Sequence, residues 1–167
     1  MITKNIKFKN FLIKKNFLNV SNKLKLLLKE DNKILRTLGA NYRYSYTKKV
    51  IKKFRKFRNI TLIGMGGSIL GSQAIYDFLK YKIKKKVFFI SNLDNRNLEN
   101  FKKINNLNLI ISKSGNTLET ISNSNIFMKK NDKNIFITEN TNNYLFNLGQ
   151  KLKAEIIEHK NYIGGRY

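Results

Sequence analysis

From residue 60 onward, short runs rich in β-branched and aromatic residues alternate with longer segments whose apolar residues recur at helical spacing. This alternation is typical of successive βα units, which place parallel strands in one sheet and cover its faces with helices. It predicts an α/β fold with a doubly wound, five-stranded parallel sheet of flavodoxin-like order 2-1-3-4-5. The predicted strands span residues 60–63, 86–90, 108–111, 134–137 and 155–157.

Four helices are predicted between these strands, beginning near Ser68, Asp94, Thr117 and Tyr144. The preceding part of the chain lacks the β-rich runs and shows two stretches of helical period, at 19–29 and 46–58. The sequence therefore predicts an N-terminal helical extension over residues 1–58 and an α/β domain over residues 59–167.

The composition fits a protein with its own hydrophobic core. Apolar residues make up 41% of the 167 residues, enough for a globular domain rather than a disordered tail. There is no cysteine and one histidine, so disulfides and thiolate metal sites are excluded, and we expect neither a metal nor another cofactor. No apolar run approaches bilayer-spanning length and no secretory signal is recognisable, which favours a soluble, cytoplasmic protein without a membrane partner.

The strong positive charge is also typical of nucleic-acid-binding proteins. Lysine and arginine total 34 against 10 acidic residues, a formal net charge of +24, and clustered basic residues supply the phosphate contacts of such proteins. Here the lysines are scattered along the whole chain among abundant asparagine and isoleucine, as expected from AT-rich codons at tolerant surface positions. We therefore expect no nucleic-acid partner. A basic nucleic-acid binder stays as an alternative, which strongly salt-dependent affinity would reveal.

The loop after the first predicted strand is rich in glycine. Residues 61–63 lead into GMGGSILG at 64–71, so that a strand, a glycine turn and a helix start follow one another. Glycines let the backbone approach a bulky anion, and the N–H groups and dipole of a helix N-terminus attract negative charge. Ser68 adds a hydroxyl that either caps the helix or binds an anion.

Other glycine motifs fit this loop less well. The dinucleotide-binding pattern G-x-G-x-x-G requires glycine where the chain has Ile69, and the acidic residue nearest the end of the second strand, Asp94, comes late for a ribose contact. The Walker pattern requires Lys-Ser or Lys-Thr after Gly71, where Ser72 and Gln73 stand instead. A tight turn whose glycines only allow a helix to pack closely on a strand is the remaining alternative.

The loop after the third strand concentrates anion-binding groups. The sequence SKSGNT at 112–117 holds three hydroxyls, an amide, a glycine and a lysine within six residues. A phosphate dianion is the simplest partner for such a set. The alternative is helix capping, with Ser114 or Thr117 at the N-cap and Glu119 in the first turn, but capping requires only one hydroxyl.

The predicted topology brings the two loops together. In a sheet of order 2-1-3-4-5 the first and third strands are neighbours, and ligands bind in the crevice beyond their carboxyl ends, where the strand order reverses. The sequence therefore predicts one phosphate site, held from two sides by the two loops.

Three segments resemble the glucose-6-phosphate isomerase family, whose members are built from sugar-isomerase domains. They are GMGGSILGS at 64–72, ISKSGNTLET at 111–120 and NYIGGRY at 161–167, in the family's order and spacing over residues 59–167. The Ser-Lys-Ser-Gly-x-Thr pattern occurs in sugar-isomerase domains generally, whereas the terminal Gly-Gly-Arg is particular to this isomerase.

The resemblance implies that the ligand is the phosphate of glucose 6-phosphate or fructose 6-phosphate. Asn116 departs from the family pattern, which usually has threonine there. Arg166 matches the family arginine thought to stabilise negative charge on the enediolate intermediate, and would be the catalytic residue of this chain. The implied phosphate-binding residues are Gly67, Ser68, Ser112, Lys113, Ser114 and Thr117.

The family reaction, part of glycolysis and gluconeogenesis, opens the sugar ring and moves a proton between C2 and C1 through a cis-enediol. It requires a glutamate base, with a histidine and a lysine for ring opening, and in the family these lie beyond the Gly-Gly-Arg turn. His159, Glu119 and Glu139 match none of them.

The resemblance thus implies a fragment that holds the first sugar-isomerase domain and is inactive alone, from a protein that is a homodimer at full length. The alternative function is a stand-alone sugar-phosphate-binding module, which needs no base.

Overall fold

The computed structural model describes residues 18–93 and 106–164. They belong to two compact units, one ending at Tyr42 and the other beginning at Arg43. The first unit holds helices α1 (Leu18–Leu27) and α2 (Lys33–Arg36). Asn32 begins α2, because its side-chain oxygen accepts a hydrogen bond from the N–H of Ile34 at 2.8 Å. The sequence predicts α1 but not α2, because a single turn leaves too short a periodic pattern.

The second unit is built on a five-stranded, all-parallel sheet in the order β2-β1-β3-β4-β5. The prediction of a doubly wound α/β sheet of order 2-1-3-4-5 is confirmed. Strand β3 begins earlier than predicted, at Asn106. The strands are β1 (Asn59–Gly64), β2 (Lys86–Ile90), β3 (Asn106–Ile111), β4 (Lys133–Thr138) and β5 (Glu155–Glu158).

Four helices are described in this unit: α3 (Lys48–Phe54), α4 (Gly67–Leu79), α5 (Leu118–Phe127) and α6 (Tyr144–Lys151). The helix predicted to begin near Asp94 lies outside the described residues. The sequence groups α3 with the N-terminal extension, but in the structure α3 belongs to the same compact unit as the sheet. The reason is Phe54, which is buried against Leu107 and Ile135.

Apolar side chains on alternate strand positions form two core clusters. One cluster includes Ile63, Ile110 and Phe136 of the strands, together with Phe127 of α5 and Leu145 of α6. The other joins β3 and β4 to Phe54 of α3. Because successive strand residues point to opposite faces, the two clusters show that both faces of the sheet are packed.

A network of buried amides crosses the strands near their amino ends. Asn106 Nδ2 donates to Thr61 Oγ1 at 2.7 Å and to Asn108 Oδ1 at 2.8 Å. Asn108, which is fully buried, donates from Nδ2 to Asn134 Oδ1 at 2.9 Å. These bonds satisfy polar groups that would otherwise be costly to bury, and they tie β1, β3 and β4 together at the edge opposite the predicted site.

Candidate functional site

The loops that follow β1 and β3 start side by side at the carboxyl edge of the sheet. The last residues of the two strands, Gly64 and Ile111, are partners in the parallel register. A β-carbon on Gly64 would lie 2.9 Å from the carbonyl oxygen of Ile111 and 3.3 Å from Cβ of Ser68. Glycine therefore lets the chain turn into α4 directly beside the loop from β3.

The turn into α4 is made by Gly66. Its φ of +54° and ψ of −124° belong to a region that glycine adopts readily. Nothing lies within 4 Å of the place where a β-carbon would stand, so the backbone is open on that side. Gly66 is the N-cap residue of α4 and forms no side-chain capping bond. Helix α4 therefore begins without a side-chain cap, and the N–H groups of Ser68 and Ile69 donate instead to the backbone carbonyls of Met65 and Gly66, each at 3.1 Å.

Hydrogen bonds within the loop after β3 fix the side chain of Thr117. Ser112 is 2% exposed, and its hydroxyl lies 2.9 Å from the Thr117 hydroxyl and accepts from the N–H of Gly115 at 3.2 Å. Thr117 occupies the N-cap position of α5, yet its side chain makes no capping bond. The capping role considered for Thr117 is therefore not observed, and α5 also begins without a side-chain acceptor.

The other helices whose N-caps are described begin differently. In α2, α3 and α6 the side chains of Asn32, Thr47 and Asn143 each accept a hydrogen bond from a first-turn N–H. Helices α4 and α5 lack such a bond, and residues at the start of both line the same cleft. The dipoles of both helices, and the first-turn N–H groups that have no backbone acceptor, therefore favour an anion at this cleft.

The start of α6 contacts the loop after β3 and forms hydrogen bonds with it. Gly115 has a φ of +67°, and a β-carbon there would lie 1.8 Å from Oδ1 of Asn143. The carbonyl of Gly115 accepts from the N–H of Leu145 at 3.1 Å. The side-chain oxygen of Asn116 accepts from the N–H of Tyr144 at 3.0 Å. Asn116, which departs from the family pattern, therefore bonds to α6 with its amide oxygen.

The two loops border an open cleft of about 390 Å³. Five of the six predicted phosphate-binding residues line this cleft, and the sixth, Ser112, lies behind Thr117. The lining residues are Met65, Gly66, Gly67, Ser68, Lys113, Ser114, Thr117 and Glu139. The fold thus brings the two glycine-containing loops to one site, as the topology predicts.

Lys113 and Glu139 form the charged part of the cleft. The ammonium of Lys113 donates to the carbonyl oxygens of Asn161 and Ile163, each at 2.7 Å, and lies 3.7 Å from Oε1 of Glu139. The backbone N–H of Glu139 donates to the carbonyl of Lys113 at 3.0 Å. Glu139 is absent from the predicted site. Glu139 directly follows β4, which is the neighbour of β3 in the sheet, so its position at the same carboxyl edge could have indicated that it lines the cleft.

Two other residues considered from the sequence, His159 and Glu119, do not line this cleft. Arg166, the predicted catalytic residue, lies outside the described residues. His159 donates its backbone N–H to the Thr138 carbonyl at 2.8 Å, and its Nδ1 lies 3.0 Å from the Lys160 carbonyl. Glu119 lies in the first turn of α5.

The described ranges, 18–93 and 106–164, hold neither a metal cluster nor a membrane span. No group of three or more His, Cys, Asp or Glu side chains there is placed to bind a metal ion. No helix in those ranges is long and apolar enough to cross a membrane.

Comparison with known proteins gives both sequence matches and structural matches. The sequence model of the family described as phosphoglucose isomerase matches residues 31–167. The glucose-6-phosphate isomerase of Borreliella afzelii (strain PKo) is 36% identical over 132 residues, which cover 68% of this chain and 24% of that protein. The matched part of the chain spans between 16% and 28% of the length of these curated relatives.

Two solved structures share the fold. A hypothetical protein from Thermus thermophilus matches with a TM-score of 0.64 at 16% identity, over 89% of this chain and 40% of that chain. The tagatose-6-phosphate ketose/aldose isomerase from Escherichia coli matches with a TM-score of 0.53 at 17% identity, over 68% of this chain and 33% of that chain. At such low identities the likeness shows the fold alone.

Proposed function

Because the chain belongs to the phosphoglucose isomerase family, we propose that its cleft binds the phosphate group of glucose 6-phosphate or fructose 6-phosphate. The observation that carries this proposal is the pair of helices, α4 and α5, that begin at one cleft without side-chain caps. Their N–H groups and dipoles attract a dianion, and the neighbouring hydroxyls donate hydrogen bonds to its oxygens.

Each loop has a separate role in this proposal. Gly67 and Ser68 approach the phosphate from the α4 side, and Ser114 and Thr117 from the α5 side. Ser112 acts indirectly, because its buried hydroxyl bonds to Thr117 and holds that side chain in place.

The cleft can accept a phosphate because its negative and positive side chains, Glu139 and Lys113, offset each other. The carboxylate of Glu139 alone would repel a dianion, and the ammonium of Lys113, 3.7 Å away, offsets that charge. The phosphate is then attracted chiefly by backbone N–H groups and hydroxyls.

The proposed reaction is the interconversion of glucose 6-phosphate and fructose 6-phosphate through a cis-enediol. The phosphate is remote from C1 and C2, so its binding energy serves to position the reacting carbons. Arg166 is proposed to stabilise the negative charge of the enediolate. A cytoplasmic location and pairing of full-length subunits are proposed on the same family resemblance.

No residue of this chain matches the glutamate base of the family, so we expect the chain to bind its sugar phosphate without isomerising it. An assay that follows conversion of fructose 6-phosphate to glucose 6-phosphate checks this expectation. Conversion above the uncatalysed rate would show that the chain carries a base of its own.

Calorimetry with glucose 6-phosphate tests the binding site. Thr117→Val and Ser114→Ala each remove one hydroxyl from the cleft, and losing one charge-assisted hydrogen bond should raise the Kd about tenfold, equivalent to about 1.5 kcal/mol. The matched control is Ser122→Ala, a half-buried serine of α5 that does not line the cleft, which should leave the Kd unchanged. Absence of binding by the unmodified chain, or equal losses in all three variants, would contradict the proposed site.

A further inference from the structure

We propose that Lys113 is a positioning residue. Its side chain fastens the segment after β5, residues 159–164, to the phosphate-binding loop and is not itself a ligand of the phosphate. This inference rests on the proposed function and changes the role that the family resemblance implies for one of the predicted phosphate-binding residues.

The ammonium of Lys113 already has a set of acceptors. A lysine ammonium has three N–H donors. Two of them point to the carbonyl oxygens of Asn161 and Ile163 at 2.7 Å, and the carboxylate of Glu139 lies 3.7 Å away. The Lys113 side chain is 30% exposed. Two of the three N–H donors are thus occupied by carbonyls of the protein, and the third lies beside the Glu139 carboxylate, which would repel a phosphate.

Other contacts of the segment that Lys113 holds include two backbone hydrogen bonds. The N–H of His159 donates to the carbonyl of Thr138 at 2.8 Å and attaches the beginning of the segment to the end of β4. Farther along, the N–H of Ile163 donates to the carbonyl of Lys160 at 3.1 Å, which closes a local turn. The two bonds from Lys113 are long-range, because they join positions 48 and 50 residues apart in the sequence.

This attachment joins the loop after β3 to the segment that precedes Arg166 in the sequence. Lys113 belongs to the loop that carries Ser114 and Thr117, and the fastened segment leads in sequence to Gly165 and Arg166. Phosphate binding and the position of the segment before Arg166 are therefore mechanically connected through one side chain. A lysine suits this role because its ammonium donates to two carbonyls at once, which a serine or threonine hydroxyl cannot do.

The first test uses the unmodified chain and the ¹⁵N resonance of the Lys113 ammonium. We expect this resonance to be observable, because its protons exchange slowly when they are bonded to two carbonyls. On titration with orthophosphate it should stay in place while the amide resonances of Gly67 and Ser68 shift. A Lys113 ammonium resonance that shifts with the same saturation curve as those amides would make the lysine a direct ligand and overturn the proposal.

The second test removes the attachment while keeping the charge of the cleft. Lys113→Met combined with Glu139→Gln deletes one positive and one negative charge, so the net charge next to the phosphate is preserved. We expect the amides of residues 161–164 to exchange with deuterium about tenfold faster or more, because their segment is released. The Kd for orthophosphate should stay within about threefold of the original value.

Three control variants separate the possible outcomes. Glu139→Gln alone keeps the lysine and should leave amide exchange unchanged. Lys113→Arg retains several donors and should restore part of the protection. Lys53→Met removes a lysine that pairs with Glu155 at 3.0 Å, outside this cleft, and should change neither quantity.

Unchanged amide exchange in the Lys113→Met, Glu139→Gln variant would overturn the inference, whether or not orthophosphate binds. A tenfold or greater rise in the Kd with unchanged exchange would identify Lys113 as a phosphate ligand. If the unmodified chain binds no orthophosphate or glucose 6-phosphate, the proposed function fails, and the exchange measurement still decides whether Lys113 holds the segment.

Discussion

Gly115 and Gly71 show how differently one residue type constrains this fold. Gly115 has a φ of +67° and is surrounded by Asn143 and Thr138, whose oxygens would lie 1.8 Å and 2.8 Å from an added β-carbon. Gly71 lies within α4, and a β-carbon there would meet nothing within 4 Å. The loop after β3 therefore requires glycine at 115, whereas α4 merely tolerates it at 71.

Gly115→Ala should destabilise the protein by about 2–4 kcal/mol, because alanine is strained at this φ and its β-carbon displaces the Asn143 side chain. Gly71→Ala should stabilise it by about 0.5–1 kcal/mol, because alanine is the better helix former. Urea unfolding monitored by circular dichroism measures both changes. Equal stability of Gly115→Ala and the unmodified chain would contradict the structure of this loop.

Two buried threonines provide a second residue-level comparison. Thr61 Oγ1 accepts from Asn106 Nδ2 at 2.7 Å, whereas Thr120 Oγ1 is buried and has no hydrogen-bond partner among the described residues. Thr61→Val should lower the free energy of unfolding by about 1–3 kcal/mol, since it leaves an amide donor unsatisfied. Thr120→Val should be neutral or stabilising by about 1 kcal/mol, since it removes an unpaired hydroxyl. Urea unfolding measures both changes in the free energy of unfolding. A larger loss of stability in Thr120→Val than in Thr61→Val would be inconsistent with these contacts.

Single residues of the cleft could be predicted where they lie in the βα loop that follows a strand or at the start of the next helix. Gly67, Ser68 and Ser114 are of this kind, since a βα loop in a parallel sheet begins at the carboxyl edge whatever its details. The contacts of Lys113 could not be predicted, because its partners lie 48 and 50 residues later in the sequence. The inward position of Ser112 depends in the same way on a bond that the local pattern does not specify.

At the level of elements, periodicity indicates a helix but not how much of its apolar surface is covered. In α4 the fully buried apolar residue is Ile69, while Leu70, Ile75 and Phe78 are 61%, 63% and 77% exposed. The predicted helix is present, yet most of the apolar residues that indicate it do not pack on the described residues. Strands are easier to predict here, because burial on both faces makes them short, nearly continuous apolar runs.

The N-caps of α6 and α3 differ in burial, and their contributions to stability should differ accordingly. Asn143 is 4% exposed, accepts from the N–H of Phe146 at 2.9 Å, and donates to the Glu139 carbonyl at 3.0 Å. Thr47 is exposed and accepts a single bond at 3.4 Å. Asn143→Ala should therefore destabilise the protein by about 2–3 kcal/mol and Thr47→Ala by less than about 1 kcal/mol.

The midpoints of urea unfolding show whether Asn143→Ala is more destabilising than Thr47→Ala, provided that the slope of the transition is the same in both variants. If Thr47→Ala were as damaging as Asn143→Ala, the cap of α6 would not have the special role that its contact with the loop after β3 implies.

For the whole molecule, the order of the sheet follows from the sequence, whereas the distribution of charge does not identify a site. The net charge of +24 is spread over the chain, and a second cleft, of about 510 Å³, has five lysines in its lining. Those lysines are Lys53, Lys129, Lys130, Lys133 and Lys153. Any anion will be attracted to such a surface, so affinity alone does not distinguish a built phosphate site from general attraction.

The proposed sugar-phosphate site is tested by a residue-by-residue map of amide chemical shifts during titration with glucose 6-phosphate, with unphosphorylated glucose as the control. The largest shifts are expected in the two loops, at residues 65–69 and 112–119, with saturation at one molecule of ligand per chain and no comparable change with glucose. Shifts that do not saturate, or that concentrate on the lysines around Lys130 and Lys133 and spare both loops, would contradict a sugar-phosphate site at the carboxyl edge of β1 and β3.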